Sequence, residues 1–181
     1  KFCTNKNVLD CFCNSGGFGL HAINNKCSKV TFVDSSITEI ENVKNNLALN
    51  KFDTKVELIN SDVFDFMEEE ILKNKKYDVV NIDPPAFAKS KKSIPTAIKG
   101  YEKLNRLAMN LLNDGGLLFT SSCSHHINDE DFLSIIKNAA TKVNKKIQLF
   151  HFNHASLDHP ILPAMPETVY LKFAMLKVIN E

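Results

Sequence analysis

Apolar runs of strand length alternate with runs of helical period along most of the 181 residues. The apolar runs NVLDCF, KVTFVD, KVELIN, YDVVNID and LLFTSSC read as strands, the fourth of them buried. Between them, apolar residues recur every three or four positions. The clearest case is SITEIENVKNNLALN, where Ile37, Ile40, Val43 and Leu47 share one face behind the candidate caps Ser35 and Ser36. GLHAINN, DVFDFMEEEILKN (capped by Ser61 or Asp62), AIKGYEKLNRLAMNLLN and DEDFLSIIKNAATKV complete the helices. The fourth of these is expected to stop at DGG, where glycine can take a left-handed cap.

The alternation then ends. KIQLFHF and VYLKFAMLKV are two further strands, separated by a Pro- and His-containing loop instead of a helix. Repeated strand–helix units require a mostly parallel, doubly wound α/β sheet with helices on both faces. Two strands without a crossover helix should be antiparallel. Ligands of such sheets sit outside the carboxyl ends of the strands, near the point where strand order reverses. That rule selects Asp10 to Gly19, Asp34, Asp62, Asp83 to Lys92, and Ser121 to His126.

Composition narrows the classes. Hydrophobic residues make up 44% and charged residues 24%, as in ordinary globular domains. No apolar run reaches the roughly 20 residues of a membrane span, and no leader is visible. Net charge is +1, so any nucleic-acid contact must rest on a local patch or on a part not present. The cysteines, Cys3, Cys11, Cys13, Cys27 and Cys123, are odd in number and lack paired spacing. That pattern predicts reduced thiols and a cytoplasmic compartment. Cys11 and Cys13 read as packing residues, and the histidines form no zinc signature, so no metal is expected. A strand begins almost at Lys1, which predicts one domain over 1–181 cut from a longer protein.

The loop DCFCNSGGFG joins the first strand to the first helix. Gly16, Gly17 and Gly19 permit close backbone approach and unusual dihedrals, but the spacing is G-G-x-G rather than G-x-G-x-x-G. Asp34 ends the second strand, where a carboxylate can accept both hydroxyls of a ribose or cap the next helix. Asp62 follows the third strand and can accept from an exocyclic amine or serve as an N-cap. Together they outline a nucleoside site with no phosphate cradle.

VLDCFCNSGGFGLHA, VTFVDSS, NSDVFDF, YDVVNIDPPAF, GGLLFTSSCS and DHPILPAMPETVYLK closely resemble the S-adenosylmethionine-dependent ribosomal RNA methyltransferases that make 5-methylcytosine in large-subunit RNA. The resemblance spans essentially the whole chain, in order. It implies the Rossmann-like class I methyltransferase fold, a seven-stranded sheet whose last strand is antiparallel. It also implies S-adenosyl-L-methionine as cofactor and an RNA-binding domain upstream. By this likeness Asp10, Phe12, Asn14, Ser15, Gly16, Gly17 and Phe18 would wrap the methionine part. Asp34, with Ser35 and Ser36, would hold the ribose, and Asp62 with Val63 the adenine.

Asp83, Pro84 and Pro85 resemble the D-P-P motif of this superfamily. The prolines fix the backbone, leaving nearby carbonyls free for a base's amine, and Asp83 can meet the base edge or the cofactor amine. Enzymes that methylate amino groups usually carry an aromatic residue next. Here it is Ala86, with Phe87 one place later. Lys89, Lys91, Lys92 and Lys99 follow as a candidate clamp for RNA phosphates or a solvated loop. Cys123 stands where 5-methylpyrimidine RNA enzymes carry the thiol that adds to C6 and activates C5, and His125 or His126 could lower its pKa. Asp158, His159 and Glu167 match polar positions of the family's last loop. Asp158 or Glu167 could take the C5 proton, or these residues could simply order a Pro-rich loop. Two other readings stay open: a related enzyme methylating a nitrogen of guanine or adenine, which needs no cysteine, and a cofactor-binding module without catalysis.

Overall fold

The computed structural model of the chain describes residues 2–88, 90–156 and 159–180, with only the main chain of Pro166. The elements run β1 (Asn7–Cys11), α1 (Gly17–Asn24), β2 (Lys29–Asp34), α2 (Ile37–Asn50), β3 (Lys55–Asn60), α3 (Val63–Leu72), β4 (Tyr77–Ile82), α4 (Ile94–Leu111), β5 (Leu112–Ser122), α5 (Asp129–Lys142), β6 (Lys145–Asn153) and β7 (Lys172–Asn180). Single 3₁₀ turns at Lys91–Ser93 and Pro166–Thr168 were not foreseen from the sequence pattern.

The strands form one seven-stranded sheet in the order β3-β2-β1-β4-β5-β7-β6. β1 to β5 pair in parallel, and β7 runs antiparallel to both β5 and β6. This is the doubly wound, Rossmann-like sheet that the alternation predicts. Helices cover both faces, which is why the central strands are apolar at almost every position. On one face, Met67 of α3, Tyr101 and Leu104 of α4, and Phe132 and Ile136 of α5 pack on Leu9, Val80 and Leu118. On the other, Ala22 and Ile23 of α1 and Ile40 and Val43 of α2 pack on Val30 and Phe32. Strand order reverses between β1 and β4, so their carboxyl ends lie side by side.

The junction after α4 departs from expectation. The helix ends at Leu111, and Leu112 turns directly into extended backbone with no left-handed glycine cap. Gly115 does have a positive φ of 72°, but inside β5. There the ladder jumps from Tyr77↔Leu112 to Val79↔Leu117, so a bulge absorbs the DGG residues. The helix start is also earlier than the pattern suggests: Pro95 occupies the first turn, where its missing N–H costs nothing. No described helix is long and apolar enough to cross a membrane.

Candidate functional site at the carboxyl edge of the sheet

The loop after β1 is held in unusual backbone conformations. Phe12, Asn14 and Gly16 have φ of 56°, 48° and 91°. Left-handed geometry is tolerable for asparagine and free for glycine, but it strains a phenylalanine. The strain is held by contacts on every side. Cys13 N donates to Val33 O at 3.2 Å and Gly16 N to Cys13 O at 2.8 Å. Asn46 Nδ2 donates to Ser15 O at 2.9 Å. Asn14 N donates to Asp34 Oδ2 at 3.0 Å, while Ser36 N donates to the other oxygen, Oδ1, at 2.9 Å. Asp34 thus locks the first loop to the end of β2. Ser36 is the N-cap of α2, accepting from Glu39 N, and Ser35 is exposed.

Asp10 is fully buried. Its oxygens accept from Gly19 N and Asn81 Nδ2, each at 2.8 Å, so it ties α1 and β4 to β1. Burial pushes its carboxyl up to about 7, against the pull of those two donors. Gly19 must be glycine here. A Cβ would stand 2.1 Å from the Phe32 ring. Gly17 has open space around it, and Phe18 is exposed.

Asp62 caps α3, its Oδ1 accepting from Phe64 N at 2.8 Å and Asp65 N at 3.2 Å. Val63 behind it is buried. Carboxylates therefore stand at the ends of β2, β3 and β4, with no lysine or arginine at Asp34, Asp62, Asp83 or in the loop 10–19. That set of acceptors suits a neutral or cationic nucleoside and would repel a polyphosphate.

The ends of β4 and β5 meet. Asp83 N donates to Cys11 O at 3.4 Å. Burial raises the Asp83 pKa, and a hydrogen bond with the Ser121 side chain pulls it back. The Cys123 thiol donates to the Pro84 carbonyl, Sγ to O 3.7 Å. That carbonyl keeps a second lone pair. Ser124 Oγ accepts from Ala88 N at 3.1 Å and bonds the Tyr101 hydroxyl at 2.8 Å, so the loop after the prolines is tied to the turn that carries Cys123. Burial pushes the Cys123 thiol up and the charge of Asp83 adds to it, while Lys172 opposes them. The His125 and His126 rings stack on each other, centroids 5.3 Å apart.

Pro84 is buried and Pro85 exposed. Phe87 is half-buried, its centroid 4.6 Å from Tyr101, and its remaining surface lines an apolar groove with Phe64, Pro85, Ala86, Thr96 and Gly100. Lys91, Lys92 and Lys99 are exposed beside this groove's chain segment. Lys89 and Asp158 lie outside the described residues. His159 and Glu167 are exposed in the loop that joins β6 to β7, which topology puts on this same edge. Among the described residues no cluster of His, Cys, Asp and Glu could hold a metal.

Sequence reasoning selected the segment of Ser121 and Ser124 without giving either a role, and missed Asn81 and Lys172. All are buried. Their signal was a polar residue interrupting an apolar strand, as in YDVVNI and YLKFAML. Among the described residues, Asn81 Oδ1 and Thr120 Oγ1 are buried without a partner. Both belong to the central strands β4 and β5.

Residues 1–154 match a family model described as Conserved hypothetical protein 95. The chain is 39% identical over 180 residues to Ribosomal RNA large subunit methyltransferase I of Aliivibrio fischeri, covering 99% of this chain and 46% of that protein. It is 37% identical over 173 residues to the protein of the same name from Escherichia coli O1:K1 / APEC, covering 95% and 44%. It thus spans about half the length of the curated relatives it matches. A methyltransferase candidate solved in complex with SAH shares the fold, with a TM-score of 0.86 and 24% identity over 97% of this chain and 46% of that one.

Proposed function

This chain belongs to the Conserved hypothetical protein 95 family, and from that membership we propose that it is the catalytic domain of an S-adenosylmethionine-dependent methyltransferase acting on RNA. The finer reading is methylation of C5 of a cytosine in large-subunit ribosomal RNA through Cys123. The names of the 39% and 37% identical relatives support the ribosomal substrate. SAH in the similar structure supports the cofactor. Free thiols at all the cysteines suit a reducing, cytoplasmic setting.

The acceptors at the strand ends fit the cofactor. Asp34 would accept the ribose hydroxyls, Asp62 and Val63 would meet the adenine, and the loop 12–18 would enclose the methionine part. When bound, S-adenosylmethionine supplies an electrophilic methyl group on a sulfonium.

The observation that carries the C5 reading is the meeting of Cys123, Asp83 and the Pro84 carbonyl. Cytosine C5 is a poor nucleophile. A thiolate bonding to C6 pushes the ring's electron pair toward C5, which can then attack the methyl carbon. Asp83, at the end of β4, would accept from the amine at the base edge. Loss of the C5 proton to a base then restores the ring's double bond and expels the thiolate. Cys123 leaves unchanged, as a catalyst must.

The test is Cys123→Ala, read by nucleoside mass spectrometry of large-subunit RNA after incubation with cofactor. The expected result is loss of 5-methylcytidine with SAH affinity within about twofold of wild type, because the cofactor contacts lie elsewhere. Undiminished methyl transfer, or a methylated purine nitrogen in its place, would sink the cysteine reading. Cofactor binding without transfer to any RNA would leave a binding module.

A further inference from the structure

Lys172 opens β7 directly opposite Ser122 in the β5–β7 ladder, one residue from Cys123. It is only 3% exposed. Lysine is almost never fully buried without partners. Its Nζ donates to Ser124 O at 2.8 Å and to Ile127 O at 2.5 Å. Those carbonyls bracket the turn that follows Cys123, and Ile127 N donates to Ser124 O across it at 3.2 Å. Both acceptors are neutral, so no carboxylate cancels the lysine's charge at its contacts.

The surrounding charges come from several elements. Burial lowers the Lys172 pKa, while Asp129 of α5, Cys123 of the turn and Asp131 of α5 raise it. Asp83, at the end of β4, opposes ionisation of the thiol, and Lys172 favours it. The Tyr101 hydroxyl of α4 also feels Cys123. Asp129 also meets His154, Nε2 to Oδ2 3.0 Å.

We propose that Lys172 is a positioning residue for Cys123: its buried ammonium clamps the turn behind the thiol and supplies the positive charge a thiolate beside Asp83 needs. The use made of that thiolate rests on the proposed cysteine mechanism. The coupling between the two side chains does not. As the thiol loses its proton to solvent, the ammonium faces the new negative charge without moving, because two backbone carbonyls fix it. A glutamine at the same place could keep a donor toward the turn but not the charge.

The test measures alkylation of Cys123 by iodoacetamide against pH, resolved by peptide mass spectrometry, in wild type, Lys172→Gln and Lys172→Arg. The midpoint should rise by about one pH unit in Lys172→Gln and stay near wild type in Lys172→Arg. Cys3 alkylation and SAH affinity report whether each variant is folded. Equal midpoints in all three proteins, or an equal rise in Lys172→Arg, would show that charge is not the lysine's contribution. The wild type gives a reading that needs no variant. The Lys172 13Cε resonance should step as Cys123 titrates and lose that step once the thiol is alkylated. A resonance indifferent to the thiol overturns the proposal. RNA methylation is not read, so failure of the cysteine mechanism and failure of the coupling give different results.

Discussion

Asp10 ties α1 and β4 to β1 at the start of the first loop. It is fully buried, satisfied by Gly19 N and Asn81 Nδ2, and raised to about 7. A carboxyl whose folded pKa exceeds its unfolded value favours the folded state at low pH, and loses that contribution as pH climbs toward 7. Between pH 5 and pH 8, wild type should therefore lose stability relative to Asp10→Asn by on the order of 2 kcal/mol. Urea unfolding of both proteins at the two pH values measures this, and a constant difference would show that Asp10 does not titrate in that window. Asp34 is the opposite case, a half-exposed carboxylate whose oxygens each hold one backbone N–H and keep lone pairs for a ligand. Asp34→Ala should weaken SAH binding about tenfold or more, since charge-assisted bonds to the ribose are lost together with the anchor of Asn14. Calorimetry showing unchanged affinity would remove Asp34 from the cofactor site.

Elements were legible wherever one periodicity dominated. The strands KVTFVD and KVELIN were read to the residue, because each is bounded by turn-forming residues, although only the first is buried and the second, at the sheet edge, has no buried position. The α4–β5 junction was not, because DGG carries the same signal for a helix cap and for a bulge, and only the β4 ladder decides between them. At the site, the aspartates and Cys123 were visible because they end strands, but the buried supports were not. Lys172 sits in an alternating run where a lysine ordinarily faces water, and only the turn carbonyls beneath it explain its burial. Gly19 was read as permissive backbone, whereas its lack of a side chain is what lets α1 lie on Phe32. Gly19→Ala should cost roughly 1–3 kcal/mol by overpacking, read as a lower denaturation midpoint, together with weaker SAH binding as α1 is pushed from Asp10. A variant as stable as wild type would mean that Phe32 yields freely.

For the whole molecule, a net charge of +1 leaves RNA affinity to local patches. Lys91, Lys92 and Lys99 are exposed near the apolar groove of Phe64, Pro85 and Phe87. If they meet phosphates, replacing all three by Gln should flatten the dependence of log affinity on log salt by about two units for single-stranded RNA. An unchanged slope in filter binding would place RNA docking elsewhere. The account turns on the thiol that the β4 and β5 ends bring together with Asp83, and one measurement meets it directly. Large-subunit ribosomal RNA transcribed with 5-fluorocytidine should be incubated with cofactor and the full-length protein, then denatured. Fluorine cannot leave C5 as a cation, so the expulsion of the thiolate stalls after methyl transfer. The account predicts an RNA–protein adduct that survives denaturation and maps by mass spectrometry to the Cys123 peptide, absent in Cys123→Ala. Methyl transfer to that RNA without any adduct, or an adduct that forms as well in Cys123→Ala, would contradict it.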